Sequence, residues 1–270
     1  MNNLPMAICQ MRVGDDKASN LATAEKMINR AAYDGARLVV LPEVFNSPYQ
    51  AERFPDYAEP YPGLTSAFLA NCSARHSIHL VGGSIIERDE AGRLYNTSYI
   101  FNPQGELLDR HRKLHLFDVD IEGGIAFRES DTLSPGRQIT VINNGSFCFG
   151  VMICFDVRFP ELARRCVLDG AQMLIIPAAF NTVTGRAHWE ILMRTRAVDN
   201  QCYVIAASPA RNPEAFYQAW GHSLIVDPWG RIMAEAGTGE EIIAAEIDFD
   251  LIKRVRTEMP LLAQRRPELY

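Results

Sequence analysis

The chain has 270 residues, of which 47% are hydrophobic and 22% are charged, and its formal net charge is −6. This is the composition of an ordinary globular protein, and the acidic balance without a lysine or arginine run argues against a nucleic-acid partner. No stretch approaches the roughly 18 apolar residues of a membrane helix, and residues 1–5 lack a basic leader, so we expect a cytoplasmic protein without membrane contact.

The first half of the chain alternates strands and helices. In chain order, the pattern predicts a strand at 5–10, a helix at 17–33, a strand at 36–41, a helix at 65–77, a strand at 78–87, and hairpin strands at 94–101 and 105–113. Residues 115–135 carry glycines and charges with little periodicity. They predict a long functional loop.

The second half repeats this alternation. The pattern predicts a strand at 147–153, a helix at 160–169, a strand at 173–176, a helix at 187–200, a strand at 203–208, and strands at 221–227 and 242–247 joined through the turn 227–230. Helices alternate with strands twice, with β-rich stretches between. We therefore expect two packed sheets with helices outside, in a single domain over residues 1–270.

Cys154 lies at the carboxyl end of a predicted strand. The apolar strand 147–153 breaks off at this cysteine, and the carboxyl end of a strand is where open α/β sheets keep their ligand crevices. Asp156, Arg158 and Glu161 follow within seven residues, which core packing does not explain. Cys154 is therefore a candidate nucleophile. The remaining cysteines lie in apolar patterns and are expected in the core: Cys9, Cys72, Cys148, Cys166 and Cys202.

Two charged residues end other predicted strands. Glu43 follows the strand 36–41, and Lys113 ends the strand 105–113. Each alone is more often a solvated charge than a functional group, but together with Cys154 they fit a hydrolytic triad. The six histidines are scattered, and neither CxxC nor HExxH occurs, so we expect no metal and no organic cofactor.

Several motifs resemble the signatures of the nitrilase superfamily of carbon–nitrogen hydrolases, in the expected order from residue 6 to residue 270. They lie at 41–43, 112–115, 153–161, 178–181, 184–185, 188–190 and 199–203. The resemblance implies an α/β fold, a four-layer α-β-β-α sandwich. It also implies a homodimer or higher homo-oligomer, in which the tail 259–270 crosses the partner or wraps its own subunit.

Within the superfamily the chain is most similar to the omega-amidase branch. The segments that carry this likeness lie at 45–49, 115–118, 127–130, 178–181, 208–211 and 220–223. The resemblance implies hydrolysis of the distal amide of 2-oxoglutaramate or 2-oxosuccinamate to the oxo dicarboxylate and ammonia. Amidases of deaminated glutathione share the catalytic motifs and the Trp-Gly turn, so that activity, or another amidase or carbamoylase activity of the family, remains an alternative.

The resemblance also implies roles for the triad. Cys154 would form a thioester with the acyl group, and Glu43 would accept the thiol proton and return it to ammonia. Lys113 and the backbone N–H of Phe155 would stabilise the oxyanion. A free thiol with a pKa near ~8.5 is only a few per cent thiolate at neutral pH, so the base is needed.

A second glutamate of the family falls on Glu129, with Glu122 as its rival. Arg158 is the candidate that grips the substrate carboxylate. Its alternative role is an ion pair with Asp156 or Glu161, both of which we otherwise expect to be structural. Three further residues are expected to line the oxo-acid pocket: Tyr49, Phe180 and Thr184.

Two other classes of function compete with the amidase. One is a binding protein that keeps the fold without catalysis, against which Glu43, Lys113 and Cys154 all count. The other is a thiol redox enzyme, which would need a resolving cysteine near Cys154; Cys148, on the same predicted strand, is poorly placed for that.

Overall fold

The structure is a computed structural model, which describes residues 3–122 and 126–269. Among these residues, seven strands form one sheet in the order β15-β1-β2-β3-β5-β4, with β6 also paired to β5. Its strands are β1 (Asn3–Gln10), β2 (Leu38–Val40), β3 (His79–Val81), β4 (Ile85–Arg88), β5 (Leu94–Phe101), β6 (Leu107–Arg112) and β15 (Glu241–Asp248).

A second sheet has six strands in the described part of the chain, in the order β14-β13-β12-β11-β10-β9. They are β9 (Thr140–Asn143), β10 (Cys148–Val151), β11 (Met173–Pro177), β12 (Tyr203–Ala207), β13 (Leu224–Val226) and β14 (Ile232–Glu235). A separate hairpin pairs β7 (Asp118–Asp120) with β8 (Ala126–Arg128). The helices are α1 (Lys17–Tyr33), α2 (Phe54–Tyr57), α3 (Leu64–His76), α4 (Pro160–Leu168), α5 (Thr182–Asn200) and α6 (Phe249–Glu258).

The two sheets pack face to face between two layers of helices. Side chains such as Ile8 and Ile175 fill the space between the sheets. Ile28 of α1 packs on the outer face of the first sheet, and Trp189 and Met193 of α5 pack on the second. Burying apolar surface on both faces of each sheet is the main stabilising term for this architecture. The expected four-layer α-β-β-α sandwich is confirmed.

Some predicted boundaries were wrong. The predicted strand 78–87 is two strands, β3 and β4, separated at Gly82 and Gly83. The turn 227–230 joins β13 to β14, whereas β15 pairs antiparallel with β1 in the other sheet. Helix α5 begins at Thr182 rather than at residue 187, because the Asn181 side chain accepts hydrogen bonds from the first free N–H groups.

The loop at 115–135 is more ordered than its sequence suggests. It contains the hairpin β7–β8 and a 3₁₀ turn, Glu129–Asp131, while residues 123–125 lie outside the described part. No helix among the described residues is long and apolar enough to span a membrane.

The turn after β3 fixes the segment that carries Glu43. Gly83 has φ of +57°, and a Cβ built there would lie 2.0 Å from the carbonyl oxygen of Pro42. Replacing Gly83 by alanine should therefore lower the free energy of unfolding by roughly 3 kcal/mol, through overpacking and a left-handed backbone. Gly92 has φ of +79° with nothing within 4 Å of such a Cβ. Gly92→Ala should cost only about 1 kcal/mol, and equal losses in urea unfolding would contradict the steric argument.

Candidate active site

Three strand ends from both sheets meet in the interior. Glu43 follows β2 and Lys113 follows β6 in the first sheet, while Cys154 follows β10 in the second. Glu43 is 1%, Lys113 0% and Cys154 4% exposed. Charged side chains are almost never this buried unless they are paired. The partners of these groups therefore determine their charge states and their chemistry.

Lys113 lies between two carboxylates. Its Nζ is 2.9 Å from Oε1 of Glu43 and 2.9 Å from the carboxylate of Glu129. Burial works to lower the pKa of Lys113, but the charges of Glu129 and Glu43 outweigh it and raise the pKa above its ordinary value. Lys113 is therefore held as a cation in the interior, where its field is weakly screened.

The two oxygens of Glu43 have different surroundings. Oε1 accepts hydrogen bonds from Lys113 and from Nδ2 of Asn96, each at 2.9 Å. Oε2 is buried and accepts no N–H or O–H hydrogen bond from the described residues. Burial, with the Glu129 charge, raises the pKa of Glu43, although Lys113 and the Cys154 thiol act to lower it. One oxygen of the carboxylate is thus free to take a proton from its thiol neighbour.

Cys154 begins a 3₁₀ turn, Cys154–Arg158, with φ of +47°. A non-glycine residue with positive φ is uncommon and is held there by its surroundings. Burial and the charge of Glu43 raise the pKa of the thiol well above its ordinary value, against the opposing effects of Lys113 and the backbone N–H of Ala179. The resting group is therefore a thiol, which needs a base before it can attack.

Of the two candidate second glutamates, the structure places Glu129 against Lys113. Glu129 is fully buried, and its oxygens also accept from the Tyr49 hydroxyl and the Phe117 backbone N–H, both at 2.7 Å. Glu122 is exposed. The Tyr49 hydroxyl thus belongs to the ion network, while its ring lies 4.6 Å from that of Tyr217.

A cavity of about 370 Å³ leads to this network. Its described lining runs from the exposed Phe216 through Tyr217 and Tyr49 to the buried Glu43. The backbone N–H of Ala179, which also lines it, interacts with the Cys154 thiol. The cavity therefore gives a small molecule access to the Glu43 carboxylate and to the backbone of Ala179, whereas Cys154 is not among its lining residues.

Three of the residues predicted to line the substrate pocket are not among the described residues that line this cavity: Arg158, Phe180 and Thr184. The Arg158 guanidinium lies over the rings of Phe180 and Phe155, at 4.9 and 5.5 Å, and its Nη1 is 3.2 Å from Nδ1 of His188. Arg158 Nε is buried without a partner in the described structure, which records no ion pair of Arg158 with Asp156 or Glu161. Thr184 donates its backbone N–H and Oγ1–H to Asn181, so it helps to cap α5.

Sequence reasoning missed several polar residues of the site. Asn96 donates to Glu43 and is buried in strand β5, where Thr97 and Ser98 are buried polar residues as well. Three consecutive polar residues inside a predicted strand were the available signal. Asp156 was expected to be structural, and the structure places it against His111 and His115. Within residues 3–122 and 126–269, no group of three or more His, Cys, Asp or Glu side chains is arranged so that it could hold a metal ion.

The sequence matches a known protein family over most of its length. The model of the carbon–nitrogen hydrolase family matches residues 6–257. Omega-amidase NIT2 of Mus musculus is 48% identical over 270 residues, which cover all of this chain and 98% of that protein. Nitrilase homolog 2 of Dictyostelium discoideum is 50% identical over 262 residues, 97% of this chain and 80% of that protein.

A solved structure is similarly close. Saccharomyces cerevisiae Nit3, a member of branch 10 of the nitrilase superfamily, superposes with a TM-score of 0.91 and 48% identity, covering 98% of this chain and 97% of that one. Family model, identity and fold coincide over nearly the whole described chain. The chain therefore belongs to the carbon–nitrogen hydrolase family of the nitrilase superfamily.

Proposed function

We propose that the protein is an omega-amidase, which hydrolyses the distal amide of 2-oxoglutaramate or 2-oxosuccinamate to the oxo dicarboxylate and ammonia. The observation that carries this proposal is the buried Lys113 cation between Glu43 and Glu129, with the Cys154 thiol interacting with the Glu43 carboxylate. The omega-amidase relatives, 48% identical over the whole chain, support the choice of substrate.

In the proposed reaction, Glu43 accepts the thiol proton as the Cys154 sulfur attacks the amide carbon. The negative oxygen of the tetrahedral intermediate faces Lys113 and the backbone N–H of Phe155. The C–N bond then breaks, Glu43 donates its proton to the leaving ammonia, and a thioester remains. Glu43 next takes a proton from water, whose oxygen attacks the thioester, and the proton returns to the thiol. Every proton has a donor and an acceptor among these groups, so the proposed cycle uses no cofactor.

Arg158 is the proposed anchor for the substrate carboxylate, with Phe180, Thr184 and Tyr49 around the oxo acid. Of these four, Tyr49 lines the cavity, and the other three would have to contact the substrate beyond its described lining. Burial lowers the pKa of Arg158, and no carboxylate in the described structure pairs with it. A half-buried guanidinium without a counter-charge suits an anionic ligand. The Phe180 ring beneath it holds the guanidinium plane in place.

Arg158→Gln tests this anchor. Losing one charge-assisted hydrogen bond of roughly 1.5–3 kcal/mol should raise KM for 2-oxoglutaramate by about 10- to 100-fold, with a much smaller change in kcat. Arg165→Gln is the matched control, since Arg165 is an exposed residue of α4 that pairs with Asp169 at 2.9 Å. An unchanged KM in steady-state assays would remove Arg158 from substrate binding.

The cavity also leaves room for the competing substrate. Its volume of about 370 Å³ lies within the range of pockets that take drug-sized ligands, and it extends past Gln50 and Arg53 to Asn212. Deaminated glutathione would release a dipeptide instead of ammonia. Comparing kcat/KM for the two amides decides between them, and a preference for deaminated glutathione would overturn the omega-amidase proposal while keeping the mechanism.

The charge of Glu129 predicts a pH effect. Glu43 must be ionised to accept the thiol proton, so kcat/KM should fall as pH drops through the pKa of Glu43, which burial and Glu129 raise. Glu129→Gln removes the negative neighbour, lowers the pKa of Glu43 and should move the acid limb to lower pH. Glu122→Gln, at an exposed position, should leave the limb in place. A shift to higher pH in Glu129→Gln would contradict this assignment.

We further propose that the single domain 1–270 works as a cytoplasmic homodimer. The support is an apolar strip on α5, exposed at Val183, Ile191 and Val198, beside the exposed Trp229. The tail after α6 packs Leu262 against its own subunit and leaves Met259, Leu261 and Leu269 exposed for a partner. Free cysteines suit a reducing compartment. Light scattering coupled to size exclusion tests the dimer.

A further inference from the structure

One buried carboxylate joins the two segments that carry Lys113 and Cys154. The Asp156 side chain is fully buried, and its Oδ2 accepts the backbone N–H of Ile153 at 2.9 Å. Its Oδ1 accepts the backbone N–H of His115, also at 2.9 Å. Ile153 precedes the thiol, and His115 lies two residues after the lysine. A single side chain therefore fixes the backbone of both segments.

Two histidine side chains complete the surroundings of this carboxylate. His115 Nδ1 lies 2.7 Å from Oδ1 of Asp156, and His111 Nε2 lies 3.1 Å from Oδ2. The buried His111 is held in turn by Oγ1 of Thr140, 3.1 Å from its Nδ1, and the His115 ring stacks on that of Phe159 at 3.6 Å. Since both histidines flank Lys113 in sequence, three of the four contacts of Asp156 lead to the lysine segment.

The charge state of Asp156 suits this arrangement. Burial acts to raise its pKa, but the hydrogen bonds from His111 and His115 outweigh burial and hold the pKa below its usual range. An ionised carboxylate accepts from all four donors at once. A neutral amide at this position would have to turn its NH₂ group toward two of those donors, and it would lose their bonds.

The thiol needs this support because Cys154 has positive φ. Such a backbone conformation persists only where surrounding contacts hold it, and the Asp156 bond to Ile153 lies immediately before it. If the bond is lost, the turn relaxes and the thiol moves relative to Lys113. A misplacement of about 1 Å at a reacting group can cost about 100-fold in rate.

We propose that Asp156, together with His111 and His115, is a positioning group that sets the Cys154 thiol against Glu43 and Lys113. It acts through the backbone of the two segments and is not among the described residues that line the cavity. The effect of Asp156 on the rate of hydrolysis can be measured only with a substrate, so this part of the test rests on the proposed amidase function. The reactivity of the thiol itself provides a readout that is independent of the substrate.

Asp156→Asn is the first test. We expect kcat for 2-oxoglutaramate to fall on the order of 100-fold with KM changed by less than about threefold. The rate at which iodoacetamide alkylates the Cys154 peptide, followed by mass spectrometry well below the melting temperature, should fall in parallel. Asp169→Asn is the matched control, since Asp169 is a partly exposed aspartate paired with Arg165; it should change neither rate.

His115→Phe keeps the proposal testable if the first variant does not fold. The phenylalanine preserves the stack on Phe159 and removes only the ring N–H, and we expect a roughly tenfold loss in both rates. Because both changes break one network, the double variant with Asp156→Asn should lose no more than Asp156→Asn alone. Wild-type rates in either single variant would overturn the proposal. So would a loss in the double variant equal to the product of the losses in the two single variants. If the wild type does not hydrolyse 2-oxoglutaramate, the omega-amidase proposal is refuted. The positioning role of Asp156 is still tested by the alkylation rate of Cys154.

Discussion

Replacing Cys154 by alanine should abolish amide hydrolysis, with a loss on the order of 10⁴-fold or more in kcat. The variant has no atom to form the thioester, while Glu43, Lys113 and the cavity stay in place. We therefore expect 2-oxoglutaramate still to bind, with a dissociation constant close to the KM of the wild type. Ammonia release and calorimetric titration measure the two effects.

Cys148→Ala is the control for this experiment. Cys148 lies in the same strand-to-turn segment, is also buried, and is the nearest candidate in sequence for a redox partner. It should keep full activity, because the proposed mechanism needs one thiol. Hydrolysis that survives in Cys154→Ala would refute the nucleophile. Binding without any hydrolysis by the wild type would favour a non-catalytic binding protein, and loss of activity in Cys148→Ala would favour redox chemistry.

Lys113→Met should damage both activity and stability. Without the cation, Glu43 and Glu129 become two uncompensated buried carboxylates, and breaking a buried pair in this way costs about 3–5 kcal/mol of unfolding free energy. Loss of an oxyanion donor should lower kcat roughly 10²- to 10³-fold. Methionine keeps much of the volume of the lysine stem, so the lost charge dominates both effects.

The double variant Lys113→Met with Glu129→Gln separates these two effects. Removing one of the stranded carboxylates should restore a substantial part of the stability, as measured by urea unfolding, while kcat stays low. Lys253→Met is the matched control, because Lys253 is an exposed lysine that pairs with Asp250 at 2.7 Å. If the double variant recovers no stability, the charge balance around Lys113 is not what holds the site.

Sequence reasoning singled out the three proposed reacting groups because strand ends are a local signal. The apolar runs that end just before Glu43 and Cys154 can be recognised within ten residues. Lys113 follows the mostly polar strand β6, and its position at a strand end and the family motifs singled it out. The polar residues that hold these groups come from other strands. Asn96 reaches Glu43 across the sheet from β5, and its role depends on a register that no local pattern specifies.

The strands at the end of the second sheet were also not predicted correctly from the sequence. β14 was missed because its side chains alternate only between half-buried and exposed, which leaves no apolar periodicity to detect. The sequence predicts the turn at 227–230 but assigns β15 as its second strand, whereas β15 belongs to the opposite sheet. The second error concerns which strands are neighbours, and this depends on contacts between distant parts of the chain.

The pairing of β1 with β15 has a consequence for synthesis. β1 takes an edge partner from residues 241–248, which are synthesised much later than β1. Until those residues emerge, one side of β1 presents unpaired N–H and C=O groups next to an apolar face, which is a template for intermolecular pairing. We therefore expect chaperone dependence in the cell to concentrate on nascent chains that end before residue 241.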